Sequence, residues 1–235
     1  ELPGWRGEHV PTTTMFRALL VAASVAVAHA CYSKAGTTLA MGDDTWVCLT
    51  IANSSDWTSN GELGYKRMAF PAKMDEFTKL EIDGSWESVD YSVDTLTSAL
   101  GVSSGQELFM HVESEGQFSY QKRYRTTIGN AQAVTFPMNV AIVNMDMGEV
   151  VGITWDYGCF NCGSDSCAKN TYNYKGGTHS DGEAECYMND ADCSSNKCDM
   201  VVYVVWSGTD VNGNYLLSQQ KRLSNFQLGD VKIKY

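Results

Sequence analysis

Eight cysteines carry the most definite chemistry in this sequence: Cys31, Cys48, Cys159, Cys162, Cys167, Cys186, Cys193 and Cys198. An even set of this kind closes into disulfides in an oxidising compartment. The distribution predicts a local pair, Cys31–Cys48, and a separate group of six whose connectivity the sequence leaves open. Cys159-Phe160-Asn161-Cys162 also has the spacing of a zinc knuckle or a redox dithiol. Those belong mainly to reducing compartments, so disulfides are the preferred reading.

The six clustered cysteines sit in a segment, 156–199, that holds no Leu, Ile or Val. It carries eight acids, Asp156, Asp165, Asp181, Glu183, Glu185, Asp190, Asp192 and Asp199, against three lysines. Asn189-Asp190-Ala191-Asp192 sets oxygen ligands at alternate positions, which suits a hard cation such as Ca²⁺. Asp190 and Asp192 are the metal candidates; the remaining ligands of an EF-hand loop are absent, and a solvated acidic loop explains the same residues. Asp210, Asn212 and Asn214 form a second alternating set, already accounted for by an Asn-Gly hairpin turn. Tyr157, Tyr172, Tyr174 and Tyr187 are the segment's other feature. Tyrosine gives a recognition surface large contact area at low entropic cost, and here it also supplies internal packing where aliphatics are missing. The candidate binding residues are therefore Tyr172, Tyr174, Tyr187, Asp190 and Asp192.

Catalytic signatures are weak by comparison. Beyond the first thirty residues there are two histidines, His111 and His179. His111 lies in a strand pattern beside core residues. His179-Ser180-Asp181 resembles a triad only in print, because consecutive residues cannot aim three side chains at one point. A carboxylate pair for glycoside hydrolysis is set by the fold, and nothing in the sequence singles one out. No catalytic residue is assigned. Asn53-Ser54-Ser55 is a glycosylation sequon.

These residues follow a leader. Met15 to Ala30 reads as a secretory signal: Arg17, then an apolar run from Ala18 to Ala28 interrupted only by Ser24, then small residues at Ala28 and Ala30. Residues 1–14 read as upstream sequence outside the fold. The expected mature chain, 31–235, keeps a net charge of −11, since the two acids and two bases of residues 1–30 cancel. Such a chain repels phosphate backbones, which argues against nucleic acid as a partner. No second apolar stretch is long enough to span a membrane as a helix.

The elements that must position the cluster read mostly as strands. Thr45 to Ala52, Phe77 to Asp83, the run around Leu108, Met110 and Val112, Phe118 to Thr127, Val134 to Val143, Val150 to Trp155 and Met200 to Trp206 all fit. Met200 to Trp206 is the most continuous apolar run and should be a central strand. Tyr215 to Phe226 should follow the Asn-Gly turn. Val231 to Tyr235 should form an edge strand with Lys232 and Lys234 outward. One short helix is expected from Val93 to Leu100, capped by Gly101. The fold class is therefore all-β and mainly antiparallel, a sandwich or barrel-like domain with at most one or two short helices. Leu80, Ile82, Val140, Ile142, Val151, Ile153, Val202 and Val204 are the expected core. Without aliphatics, 156–199 cannot build a core of its own, so it is expected as a disulfide-tied loop projecting from one end of the sheet.

Together these features point to a secreted extracellular binding or structural module that recognises a protein or glycan through segment 156–199. A lectin-like protein using Trp57, Trp86, Tyr172 and Tyr174 and a secreted hydrolase with carboxylate catalysis are the alternatives.

Overall fold

A computed structural model describes residues 36–52, 65–82, 108–128, 132–156, 159, 162–169, 173–174, 177–178, 184–193 and 197–221. The signal segment, Cys31, the Asn53 sequon, Trp57, Trp86, the 93–100 helix, Tyr172, His179 and the C-terminal strand lie outside these residues.

The described residues form two main β-sheets and two small two-stranded ones, and the all-β reading holds. The strands are β1 (Asp44–Ala52), β2 (Tyr65–Lys73), β3 (Thr78–Ile82), β4 (Leu108–Ser114), β5 (Gln117–Phe118), β6 (Lys122–Ile128), β7 (Gln132–Thr135), β8 (Met138–Asp146) and β9 (Glu149–Asp156). Then come β10 (Cys167–Lys169), β11 (Asn173–Tyr174), β12 (Gly177–Thr178), β13 (Ala184–Cys186), β14 (Met188–Asn189) and β15 (Met200–Gly208). The larger sheet has the order β14-β7-β6-β4-β1-β2, with β5 also on β4; the smaller is β3-β15-β8-β9. Neither closes into a barrel. Every pairing is antiparallel except β15 with β8.

Period-2 patterning explains the core. Val47, Leu49 and Ile51 of β1, Leu108, Met110 and Val112 of β4, Ala141 and Val143 of β8, and Val202, Val204 and Trp206 of β15 meet between the sheets. As expected, β15 is a central strand, flanked by β3 and β8. β4 is buried on both faces, so its polar positions, His111 and Glu113, are enclosed as well.

Three expectations need correction. Val134 to Val143 is two strands in different sheets rather than one. Pro137 has no N–H to continue a ladder and fixes its own φ, so the chain leaves β7 there and enters β8. Val151 is 55% exposed, not buried. Asn144 pairs with Gly152 while Met145 pairs with Val150, which makes Val151 the extra residue of a bulge. Val150 and Ile153 can then both face inward. Finally, Tyr215 makes a single bridge to Thr209 and Ser218–Lys221 is a 3-10 turn, so the described part of the expected 215–226 strand, residues 215–221, is not a strand. The Asn-Gly turn itself forms: the Asp210 amide donates to the Asn214 carbonyl.

Candidate binding surface

The cystine segment begins where β9 ends and finishes where β15 begins. Its pairings, open in the sequence, are Cys159–Cys167, Cys162–Cys186 and Cys193–Cys198. Cys159 and Cys162 are thus bonded to other cysteines rather than to each other. Cys48 is also disulfide-bonded, to a partner outside the described residues.

Much of the described segment does not project freely: β13, β14 and the 190–192 turn dock on the larger sheet. β14 pairs with β7 and becomes an edge strand of that sheet. Tyr187 packs its ring edge against Phe136 at 6.4 Å, beside Val134 and Ala168, and its hydroxyl donates to the Asp165 carbonyl at 2.9 Å. The buried Tyr124 hydroxyl donates to the Cys198 carbonyl at 2.5 Å.

Ion pairs complete the docking. Lys122, fully buried, pairs with Glu185 of β13 and lies 5.0 Å from the centre of the Trp155 ring. Arg125 pairs with Asp190, whose other carboxylate oxygen accepts a hydrogen bond from the Thr135 hydroxyl at 2.8 Å. Burial pushes the Glu185 carboxyl up, Lys122 draws it back, and the Asp156 charge adds to the rise, leaving it at about 7. The physical reason for these pairs lies in β6. A bulge between the Leu108 and Phe109 positions of β4 lets β6 turn both Lys122 and Arg125 into the interior, where each needs an acid. The acids come from the cystine segment.

The predicted binding residues divide accordingly. Tyr187 and Asp190 are half-buried and already engaged by the protein, and Asp192 is exposed. Within this cluster Asn189 Nδ2 lies 3.4 Å from Asp192 Oδ2, so the side chains of Asp190 and Asp192 serve different neighbours. A cation at Asp190 would have to compete with Arg125. Tyr174 lies in β11, paired with β12 in a two-stranded hairpin. In the second alternating set, Asp210 accepts from the amides of Asn212 and Asn214 and from Asn214 Nδ2, which locks the turn. Burial would raise the Asp210 carboxyl, but hydrogen bonds from Asn214, Met41 and Asn212 hold it at about 2.

A second enclosed polar group lies on the face of β4 that carries Phe109 and Glu113. His111 stands opposite Thr50, edge-on to the Phe118 ring at 5.8 Å, and Glu113 pairs with Arg67. Burial and then the Arg67 charge lower His111 to about 4, so it is neutral at physiological pH. Burial raises Glu113, with Arg67 opposing it. The strand histidine is therefore packed.

At the other end of the smaller sheet, three turns meet around Leu39–Asp43, Met147–Gly148 and Asp210–Asn214. They expose Met41, Met147, Val211 and Tyr215.

The internal ion pairs were missed by sequence reasoning. Their signal was available in the Lys122-Arg123-Tyr124-Arg125 run, which sits within a strand while the cystine segment carries an acid excess.

Residues 119–228 match the model of a family described as "Uncharacterised protein DDB_G0273449". That span contains β6, the whole cystine segment and β15, and hence both docking ion pairs. No curated protein and no solved structure matches the chain.

Proposed function

We propose that the chain is a secreted, extracellular binding module whose recognition surface is the cystine-braced segment 156–199, with an extracellular protein or glycan as partner. The observation that supports this most is the way the segment is held. Three disulfides close it, and two buried ion pairs together with a β-ladder fix it to the sheet. A polar loop fixed in this way binds without first having to be ordered, which removes a cost that flexible loops bear on association. Among its described residues Asp165, Ala191, Asp192 and Lys197 are exposed, and the half-buried Tyr187 and Asp190 sit beside them. Oxidised cysteines fit an extracellular setting. No helix among the described residues is long and apolar enough to cross a membrane.

The test is a pull-down from the native extracellular fluid together with a glycan array, using the intact chain as bait. Ala191→Trp and Asp192→Lys alter exposed positions of the segment, and Tyr215→Ser alters the three-turn end. Capture should be lost with the first two and kept with the third. Capture that survives both segment variants, or depends only on Tyr215, would overturn the assignment of the surface.

A further inference from the structure

Two of the disulfides occupy the same place. The sulfur atoms of Cys159, Cys162 and Cys186 all lie within 4.8 Å of one another, and Cys167 is bonded to the first of them. The backbone arranges this from two directions. The Cys159–Cys162 spacing brings one pair of sulfurs together, while Cys167 and Cys186 stand directly opposite each other in the β10–β13 ladder. We propose that, once these two disulfides are reduced, the same four residues form a thiolate site for a thiophilic d¹⁰ dication of the zinc–cadmium class.

The movement required is one of side chains. Zn–S bonds of about 2.3 Å in a tetrahedron place the sulfurs about 3.8 Å apart, so each bonded pair opens from a covalent contact of about 2 Å once reduced, while the wider separations among Cys159, Cys162 and Cys186 close by at most about 1 Å. All four residues are half-buried, enough to shelter a closed four-ligand site while leaving a route for the ion. The ligand set is all sulfur, which selects a soft cation over Ca²⁺ or Mg²⁺. The need is also visible in the sequence, since a segment without Leu, Ile or Val requires a cross-link to stay ordered. Reduction removes the covalent link, and a metal would restore one at the same point.

The chemistry balances with a dithiol as the reductant. Each disulfide accepts two electrons and two protons from one dithiol, which leaves as its own cyclic disulfide. The four protein thiols then release four protons as they bind the dication. The oxidised protein has no thiolate to offer there and should not bind.

The experiment uses the full mature chain, reduced with dithiothreitol and moved anaerobically into buffer without reductant. Co²⁺ is the spectroscopic probe and Zn²⁺ the competitor. One equivalent of Co²⁺ should give the visible bands and sulfur charge-transfer absorption of a tetrahedral thiolate site, and Zn²⁺ should abolish them. Cys159→Ser and Cys186→Ser should lose the tetrahedral spectrum, whereas the Cys193→Ser/Cys198→Ser double variant should keep it. Limited proteolysis gives a second reading: Zn²⁺ should slow cleavage near Lys169 in the reduced chain. Absence of a tetrahedral spectrum at one equivalent would overturn the proposal. So would a spectrum unchanged in Cys186→Ser, or one that depends on Cys193 and Cys198 instead.

Discussion

Acid should unfold this protein partly through one histidine. His111 is 9% exposed; it stands opposite Thr50 of β1, edge-on to the Phe118 ring of β5, and within reach of the Arg67 charge on β2, with Glu113 two residues along on the same face. Burial first, and then the Arg67 charge, lower its pKa from 6.5 to about 4. The folded state therefore refuses a proton that the unfolded chain accepts. The stability contributed by the neutral imidazole is fully present above pH 6.5, falls as pH drops below that value, and is gone once pH passes about 4. A depression of this size corresponds to about 3 kcal/mol, a large share of a typical folding free energy. Glu113 works in the opposite sense, because its raised pKa favours the fold when it is protonated. The total pH profile mixes the two, so the reading must be a difference. His111→Gln keeps a neutral polar side chain and cannot gain the charge. Urea unfolding of both proteins at intervals from pH 7 to 4 should show the wild type losing about 3 kcal/mol relative to the variant. Two stability curves that stay parallel across that range would show that His111 is not enclosed as described.

Three further predictions test other parts of the structure. Ile153→Ala empties an inward position that is 3% exposed and should cost about 2–5 kcal/mol in urea unfolding, while the same change at the exposed Val151 should cost well under 1. Gly208→Ala should destabilise by more than about 1 kcal/mol, because φ is +102° and a Cβ would come 1.9 Å from the Met145 carbonyl oxygen; Gly213→Ala, with open space around it, should be milder in the same thermal-unfolding assay. Lys122→Met leaves Glu185 buried without its cation and should cost about 3–5 kcal/mol at pH 8, and adding Glu185→Leu should recover most of that; a double variant as unstable as the sum of the two single changes would refute the pairing.

The sequence was most informative where one physical rule acts alone. Alternating apolar residues identified β3, β4 and β9, because side chains on one face of a strand recur every second residue, and β-branched and aromatic content identified β1. The uninterrupted run from Met200 to Trp206 marked a strand enclosed between neighbours, and the Asn-Gly pair marked its turn. The absence of aliphatics in 156–199 marked a segment expected to need cross-links, and three disulfides lie in it. Pairing of the cysteines was a different matter, since it depends on which sulfurs the folded backbone brings within bonding distance.

Tertiary structure decided the rest, and in each case the cause is a contact between residues far apart in the chain. Pro137 could be read as a break, but only the packed sheets show that the chain changes sheet there. The bulge at Val151 is a register property of two strands and leaves no mark in one. Lys122 and Arg125 look like surface cations until Glu185 and Asp190, more than fifty residues later, are folded over them. Composition determined that the cystine segment has no core of its own; the fold determined that two of its acids, Glu185 and Asp190, are turned toward the sheet, because the desolvated cations of β6 require partners and that segment supplies them.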